Sequence, residues 1–350
     1  MALSMDHCTP LNDGPGGGQG SWRLGGVRWG AVLSQQDYGS ILSSLIAIVA
    51  LAITTGLLGG PTSRPFMVTD ATISFPHNDS TVPYWLACTV SAVALLLSVL
   101  LCELLLARRL HADLTDALAA ALHFLIDGIA AFVVTGLATT VIKMSVGRLR
   151  PDFLARCQPT VPNPLTLQYG LPAADNPACT ADPSGELTDG HYSFPSGHTS
   201  TVFVFAVWCA AYCVWAFYQR PPTQTASSIA ARPLYERAVS DLGTAAGFLW
   251  ILAMLSWAAY VGTSRITDFK HHPSDVVAGA FLGALLGLLF AARAVLRVSR
   301  VLVGGAAAGC SGGCSSGAAS VDGNPEPALS LLHSGRVHQG VSDAARVSVV

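Results

Sequence analysis

The chain has 350 residues, of which 51% are hydrophobic and only 11% are charged, and its mean hydropathy is +0.49. Soluble domains carry about 25% charged residues, so this composition excludes an ordinary soluble enzyme. The net charge of −2 and the lack of a basic stripe argue against a nucleic-acid partner, and nine cysteines are too few for a disulfide scaffold.

The apolar residues are concentrated in long blocks, and a membrane-spanning helix needs about 20 such residues. Six blocks meet this requirement, at residues 38–63, 80–102, 117–142, 199–219, 242–264 and 276–292. The last block is short, but Arg293 and Arg297 could snorkel outward and extend it. The sequence therefore predicts an all-α, polytopic membrane protein that forms a bundle of six transmembrane helices.

The two ends of the chain have a different composition. Residues 1–37 begin with a polar, glycine-rich stretch that lacks the apolar run of a cleavable signal peptide, and residues 300–350 consist largely of Gly, Ala, Ser and Pro. Such segments cannot bury enough apolar surface to offset the entropy of ordering. We predict two disordered tails around a membrane domain at 38–299. Cys310 and Cys314 in the second tail are either lipidated or inert.

The basic residues of the connecting segments predict the orientation. Most of them lie in the two tails and in the 2–3 and 4–5 connections, a bias that is typical of the cytosolic side. The 1–2, 3–4 and 5–6 connections then lie on the non-cytosolic side. We expect a multi-pass protein of the endoplasmic reticulum or plasma membrane whose functional site, described next, faces away from the cytosol.

Three short motifs lie in these non-cytosolic connections. Lys143 ends the third span and Arg150 follows it by seven residues, which is close to two helical turns. Both cations can therefore lie on one helix face before Pro151 disfavours helix at Arg150. The other two motifs directly precede the fourth and sixth spans. Their residues are Pro195, Ser196, Gly197 and His198, and Ser264, Arg265, His271 and Asp275.

Each motif suits a phosphate group. Lys143, Arg150 and Arg265 supply three cations that match the charge of a transferring phosphoryl group. Ser196 and Gly197 stand where a helix begins, so that a hydroxyl and free backbone N–H groups can bind an anion. The motifs together therefore predict a phosphate-binding site.

Two histidines and one carboxylate complete the chemistry. Attack on phosphorus needs a nucleophile and departure of the leaving group needs a proton, and His198 and His271 can fill these roles near neutral pH. Asp275 lies four residues beyond His271 and could hold the tautomer of that ring, as a carboxylate does in a hydrolytic triad.

The three motifs resemble the signature of the type-2 phosphatidate phosphatase superfamily, also called lipid phosphate phosphatases. The signature reads Lys-x6-Arg-Pro, Pro-Ser-Gly-His and Ser-Arg-x5-His-x3-Asp, and it is complete in this chain. GRLRPDFLARC at 147–157 and DSTVPYW at 79–85 also resemble the plant and algal branch of that family. The resemblance covers approximately residues 40–297.

The resemblance implies a role for each of eight residues. It makes His271 the nucleophile, His198 the acid that protonates the leaving oxygen, and Asp275 the orienting partner of His271; spacing selects His271 over the adjacent His272. The residues that would bind the phosphate are Lys143, Arg150, Ser196, Gly197 and Arg265. No metal ion and no other cofactor is implied, because the cations take the place of a metal.

The resemblance also implies a lipid phosphate substrate in the bilayer, most simply phosphatidate, which would give diacylglycerol. A lipid or isoprenoid diphosphate phosphatase of the same superfamily is the first alternative, because the motifs recognise the terminal phosphate rather than the lipid tail. A catalytically silent six-helix binder or transporter is the second. A homo-oligomer is left open.

Some features outside the motifs also allow two interpretations. Asp127 and His123 in the third span form either a functional pair or, as we expect, a structural pair that faces the bundle. The stripe of Gly279, Gly283 and Gly287 in the sixth span indicates tight packing inside the bundle or a dimer contact.

The non-cytosolic connections offer two sites of covalent chemistry. Cys157 and Cys179 are either bridged or free thiols. Asn78 begins a glycosylation sequon that lies close to the second span.

Overall fold

The computed structural model describes residues 23–24, 27–62, 64–110, 114–159, 179–180, 185–219 and 233–311. Within these ranges the chain is helical, apart from one short antiparallel pair, β1 (Arg23–Leu24) and β2 (Val27–Arg28), and irregular connections. The all-α prediction is confirmed. Most of the two predicted tails, including Cys314, lies outside the described residues, and so does the side chain of Cys310.

Nine α-helices follow in chain order within the described ranges, and a short 3₁₀-helix lies at Ala71–Ile73. They are α1 (Trp29–Ser34), α2 (Tyr38–Leu58), α3 (Tyr84–Leu110), α4 (Leu114–Val146), α5 (Phe153–Cys157), α6 (Gly185–Asp189), α7 (Gly197–Val214), α8 (Leu234–Thr267) and α9 (Pro273–Ser311). Helix α7 continues as a π-helical turn over Trp215–Gln219. Six of the helices, α2, α3, α4, α7, α8 and α9, are long and apolar enough to cross a membrane, which confirms the six predicted spans.

The first span ends earlier than predicted. Helix α2 stops at Leu58 rather than continuing to residue 63, because Gly59 adopts a left-handed conformation with φ of 69° and Pro61 follows two residues later. A left-handed glycine with a nearby proline is a common helix stop. Because the helix ends here, the 1–2 connection can turn toward the candidate active site.

The predicted tail boundaries at residues 37 and 300 are also corrected. Helix α1 lies within the segment expected to be disordered, since Val32 is fully buried beside Ala119 and the Gln36 amide donates hydrogen bonds to the carbonyl oxygens of both residues. A few buried side chains order this turn, although the average composition of the segment is polar. At the other end, α9 continues past residue 300 to Ser311.

Helix α7 is the most buried of the six spans and forms the centre of the bundle. It packs against α3, α4 and α8, and its aromatic residues Trp208 and Tyr212 stack at 5.5 Å between ring centroids and contact Phe124 of α4. Because α7 begins at Gly197, this rigid core holds the Pro-Ser-Gly-His motif at one end of the bundle.

The three glycines of α9 lie against α7. A Cβ atom at Gly279, Gly283 or Gly287 would collide with a backbone carbonyl oxygen of α7 or of Ser196, the residue before it. The stripe therefore serves packing inside the bundle, as expected, because small residues let two helix backbones approach closely. This approach brings the start of α9 to the start of α7, where the Ser196 N–H donates to the carbonyl of Asp275 over 2.9 Å.

Arg293 does not snorkel outward as the sequence predicted. Its guanidinium donates to the carboxylate of Asp127 over 2.6 Å, and the Trp208 indole N–H donates to the other oxygen of that carboxylate. Asp127 faces the bundle, as expected, but its ionic partner is Arg293, whereas His123 contacts the carbonyl of Ala294 over 3.4 Å. A cation on one span pairs with an anion on another because neither is well solvated there.

This ion pair allows a stability prediction. Asp127→Leu removes the carboxylate and leaves Arg293 without its charge partner, so we expect a loss of about 2–4 kcal/mol, at the lower end of the range for broken buried pairs because Arg293 is 31% exposed. Thermal unfolding in detergent measures the effect. Asp127→Leu combined with Arg293→Met should recover much of the loss, and an unchanged melting temperature for Asp127→Leu alone would contradict the prediction.

Candidate active site

A polar cavity of about 320 Å³ lies beside the connections that carry the motifs. Four of the eight predicted site residues line it, namely Arg150, His198, Arg265 and His271. The other residues that line it are His77, Asn78, Asp79, Ser80, Arg156, Asp189 and Lys270. The structure therefore brings parts of all three motifs to one place.

Lys143 reaches the same region from α4, but it does not share a helix face with Arg150. Its ammonium lies beside Gly197, where an added Cβ would be 3.5 Å from Nζ. Helix α4 ends at Val146, and Gly147 then adopts a φ of 57°, so Arg150 does not lie on the helix. The prediction of one shared helix face is wrong because the chain leaves the helix four residues before Arg150.

Arg150 is held by an acidic residue that the sequence analysis missed. Its guanidinium donates to the Asp189 carboxylate over 2.6 Å and to the Asp189 carbonyl over 2.9 Å. Arg156 donates to the other carboxylate oxygen of Asp189 over 3.2 Å. The carboxylate at the end of α6 therefore orients the cation that the motif assigns to phosphate.

Arg265 is almost completely buried, with 1% of its surface exposed. Its NH2 group donates to the Asp268 carboxylate over 2.9 Å, and Asp268 is itself bound by the backbone N–H and the hydroxyl of Thr81. The NH1 group contacts the hydroxyl of Ser80 over 3.3 Å and lies 3.4 Å from Nε2 of His198. The 1–2 connection thus helps to position a residue that is predicted to bind the phosphate.

Ser196 is placed differently from the prediction. Its side chain is fully buried and caps α7 by accepting hydrogen bonds from the N–H and hydroxyl of Thr199, and its own N–H is bound to Asp275. The hydroxyl oxygen and the backbone N–H of Ser196 therefore form hydrogen bonds within the protein. The first N–H groups of α7, beginning at Gly197, have no acceptor within the helix and remain suited to an anion.

His198 lies in the first turn of α7 and is positioned by the 1–2 connection and the start of α3. The Tyr84 ring packs edge-on against the imidazole at 5.1 Å between centroids, and the Tyr84 hydroxyl contacts Thr201 on the next turn of α7. The backbone of Val82 also forms a hydrogen bond with His198. These contacts hold the predicted acid at the cavity wall.

His271, and not His272, faces the cavity. The Nδ1 atom of His271 lies 2.7 Å from the carbonyl oxygen of Ser193, whereas the His272 ring reaches the carbonyl of Leu149. Burial lowers the pKa of His271 well below its ordinary value, and the nearby cations Arg150 and Lys143 lower it further. His271 is therefore a neutral imidazole near pH 7, the form in which a ring nitrogen can attack phosphorus.

Asp275 contacts other groups than the one predicted. Its carboxylate accepts hydrogen bonds from Arg148 over 2.6 Å, from the Ser193 hydroxyl over 2.6 Å and from the His272 N–H over 3.0 Å. The distance from its Oδ2 to Nδ1 of His271 is 4.0 Å, which is too long for a hydrogen bond. The expected direct contact between the carboxylate and the nucleophile is absent from this site.

A second group of charges that the sequence analysis missed lies beside His271. Lys270 lies 3.3 Å from the Asp152 carboxylate, which also binds Arg156 and His77. Burial lowers the pKa of Lys270, while the Asp152 charge opposes that shift. Burial alone would raise the pKa of Asp152, but the hydrogen bond and charge of Arg156 and the charge of Lys270 hold it below its ordinary value.

Only part of this second group had a signal in the sequence. Asp152 and Arg156 belong to the stretch GRLRPDFLARC, which was noticed without a role for either residue. Asp189 and His77 lie outside the motifs, and Lys270 occupies a position of Ser-Arg-x5-His at which the motif specifies no residue.

Cys157 and Cys179 form a disulfide bond, with their Cα atoms 4.8 Å apart. Cys157 is fully buried at the end of α5, directly after Arg156. The bridge favours the first of the two interpretations of these cysteines and joins Cys179 to the end of α5, where the neighbouring Arg156 lines the cavity. Asn78 also lies at this wall, and its glycosylation stays a prediction.

Within the described ranges, no group of three or more His, Cys, Asp or Glu side chains is arranged to bind a metal ion. The cavity instead combines three arginines and a lysine with three histidines, His77, His198 and His271. That the reaction needs no metal stays a prediction. The geometry defines a polar site at one end of the membrane-spanning bundle that can bind a phosphate group between cations and present the imidazoles of His198 and His271 to it.

Comparison with known proteins agrees with this class. The PAP2 superfamily matches residues 124–298. The chain is 30% identical to Phospholipid phosphatase 2 of Homo sapiens over 71% of this chain and 79% of that protein, and 31% identical to Diacylglycerol pyrophosphate phosphatase 1 of Saccharomyces cerevisiae over 66% and 70%. The chain belongs to the PAP2 superfamily, which confirms the predicted family.

Lipid phosphate phosphatase 1 of Arabidopsis thaliana is 31% identical over 69% of this chain. The match covers 64% of that protein and 62% of a Drosophila melanogaster relative, which is less than two thirds of their lengths. No solved structure matches the chain at a significant level.

Proposed function

We propose that the protein is a lipid phosphate phosphatase that hydrolyses phosphatidate to diacylglycerol and inorganic phosphate through a phosphohistidine. The observation that carries the proposal is the common cavity of His271, His198, Arg150 and Arg265. The names of the relatives, which include a phospholipid phosphatase and a lipid phosphate phosphatase, support a lipid phosphate as the substrate.

In the first step, the lone pair on Nε2 of His271 attacks phosphorus. The bond between phosphorus and the lipid oxygen breaks, and its electron pair leaves with that oxygen. Protonated His198 donates its proton to the leaving oxygen, which produces diacylglycerol. Arg150, Arg265 and Lys143 stabilise the charge on the phosphoryl oxygens as it shifts in the transition state.

In the second step, neutral His198 takes a proton from a water molecule whose oxygen attacks the phosphorus of the phosphohistidine. The phosphorus–nitrogen bond breaks, its electron pair returns to His271, and inorganic phosphate leaves. Both histidines regain their initial protonation states, so the cycle needs no cofactor.

A substrate panel tests the proposal. Purified protein in detergent micelles is given phosphatidate, lysophosphatidate, a sphingoid phosphate and diacylglycerol diphosphate, each with and without EDTA. We expect phosphate release from phosphatidate that a chelator leaves unchanged, because the cations neutralise the phosphoryl charge. An absolute Mg²⁺ requirement would contradict the mechanism. Turnover confined to the diphosphate would favour the diphosphate phosphatase, and no turnover at all would favour the silent binder.

We further propose that the cavity faces the non-cytosolic side, since the bridged Cys157 and Cys179 lie beside it and disulfides persist in oxidising compartments. Phosphatidate would then leave its acyl chains in the bilayer while its headgroup enters the cavity. In this arrangement both tails are cytosolic.

Thiol labelling on sealed microsomes measures the orientation. We expect an impermeant maleimide to label Cys310 and Cys314 in intact vesicles, because the second tail faces the cytosol. Cys157 and Cys179 should react only after detergent opens the vesicles and a reductant cleaves the bridge, whose loss typically costs about 2–4 kcal/mol. A variant without the tail cysteines isolates the signal. Labelling of Cys157 and Cys179 in intact vesicles with an impermeant reductant would show the reverse orientation.

A further inference from the structure

The nucleophile and its carboxylate are connected by a third residue. The Nδ1 atom of His271 lies 4.0 Å from the nearer Asp275 oxygen but 2.7 Å from the carbonyl oxygen of Ser193. Only the second distance is a hydrogen bond. A backbone carbonyl, that of Ser193, therefore determines which nitrogen of His271 carries the proton. The Asp275 carboxylate does not bind the ring directly.

Ser193 binds both groups at once. Its carbonyl accepts from His271, and its hydroxyl donates to Oδ2 of Asp275 over 2.6 Å. Its own N–H donates to the carbonyl of Arg148 over 3.0 Å, and the guanidinium of Arg148 in turn donates to the other oxygen of Asp275 over 2.6 Å. Ser193 and Asp275 are both fully buried, so water does not compete for these bonds.

The arrangement has a direct consequence for the reaction. An imidazole that donates its Nδ1 proton to a carbonyl keeps its lone pair on Nε2, which is the atom that attacks phosphorus in the proposed function. We propose that Ser193 is a positioning residue, whose hydroxyl anchors to Asp275 so that its carbonyl holds His271 in the reactive tautomer. This inference rests on the proposed role of His271.

A competing explanation is that Ser193 merely satisfies a buried carboxylate, and that Asp275 binds His271 directly during turnover. The two explanations differ in what the hydroxyl does for the rate. If Asp275 alone orients the ring, loss of the Ser193 hydroxyl leaves the orienting group in place. If Ser193 transmits the position of Asp275, loss of the hydroxyl releases the carbonyl and the ring together.

Ser193→Ala tests the proposal, with Ser74→Ala as the matched control. Ser74 is an exposed serine of the 1–2 connection whose hydroxyl donates only to the carbonyl of Ala71. We expect Ser193→Ala to lower kcat by about 10-fold to 100-fold, by analogy with the loss on removing an outer partner of a metal-binding histidine. The KM and the inhibition constant of inorganic phosphate should stay within about twofold, because the phosphate-binding groups are unchanged.

The pH profile adds a readout that a purely structural role would not move. Lys143, Arg150, His198 and Asp275 face His271 in both proteins, but in Ser193→Ala the carboxylate is released from the hydroxyl and can approach the imidazolium. An approaching anion favours the protonated ring. The acid limb of kcat/KM should therefore move to higher pH in Ser193→Ala, with the same substrate used for both proteins.

Several outcomes would overturn the proposal. A kcat of Ser193→Ala within twofold of the wild type would do so, and so would an acid limb that coincides with that of the wild type. If Ser193→Ala does not fold, Ser193→Cys, which fills the space of the hydroxyl with a slightly larger group but donates weakly, undergoes the same measurements.

A separate control keeps this proposal distinct from the proposed function. His271→Ala, measured in parallel, tests the nucleophile itself. An active His271→Ala contradicts the proposed mechanism, whereas an inactive His271→Ala with a normal Ser193→Ala contradicts this inference alone.

Discussion

His271→Ala is expected to lose nearly all turnover, by about 10⁴-fold or more, the scale seen when a covalent nucleophile is removed. The cause is chemical, because His271 is the buried imidazole of the cavity whose Nε2 is free to attack. Rapid quenching with labelled phosphatidate under alkaline conditions, in which phosphohistidine survives, should trap a phosphoenzyme in the wild type and none in His271→Ala.

Two further histidine variants define the assignment. His198→Ala should still form the phosphoenzyme, but slowly, because the lipid oxygen must leave without its proton donor. His272→Ala is the matched control, since its ring points to the carbonyl of Leu149 and away from the cavity, and it should retain turnover. Full activity in His271→Ala, or inactivity confined to His272→Ala, would contradict the assigned nucleophile.

Arg265→Ala is expected to have the second largest effect. A preorganised donor to a developing oxyanion is worth about 2.7–4 kcal/mol, or about 10²–10³ in kcat. Arg265 adds a structural term, because its removal leaves the buried Asp268 carboxylate without its cation. We expect kcat/KM for phosphatidate to fall by about 10³-fold, and we expect Lys143→Ala and Arg150→Ala to cost several kcal/mol each by the same argument.

Two control variants separate charge from geometry. Arg265→Lys keeps the positive charge but loses the planar fork that contacts Asp268, Ser80 and His198, so it should recover only part of the activity. Arg64→Ala removes an exposed cation of the 1–2 connection that does not line the cavity, and its activity should be unchanged. Equal activities for Arg265→Ala and Arg64→Ala would show that Arg265 does not bind the phosphate.

The six spans could be predicted because their signal is local. A mostly apolar run of about 20 residues has few alternatives to a transmembrane helix, and each predicted run overlaps one of the six long helices. The outward position predicted for Arg293 was wrong because its contact with Asp127 is not local. Its partner Asp127 lies 166 positions away, and spacing along one helix cannot reveal a contact between two helices.

The site was predictable where a motif joined residue type to spacing. His198, Arg265 and His271 all line the cavity. Ser193 and Asp189 were missed because their roles depend on contacts with distant segments, through a carbonyl in one case and a five-residue helix in the other. Every residue has a backbone carbonyl, so no pattern of side chains could have predicted which carbonyl accepts the hydrogen bond from His271.

The close contact of α7 with α9 has a mechanical consequence. Gly279 and Gly287 are eight residues apart, about 12 Å along a helix, and over that length the two backbones touch without intervening side chains. We therefore expect α7 and α9 to move together as one rigid unit. His198 lies at the start of α7 and His271 just before α9, so we expect bending of the surrounding bundle to carry both imidazoles together and to preserve the distance between the proposed acid and the proposed nucleophile.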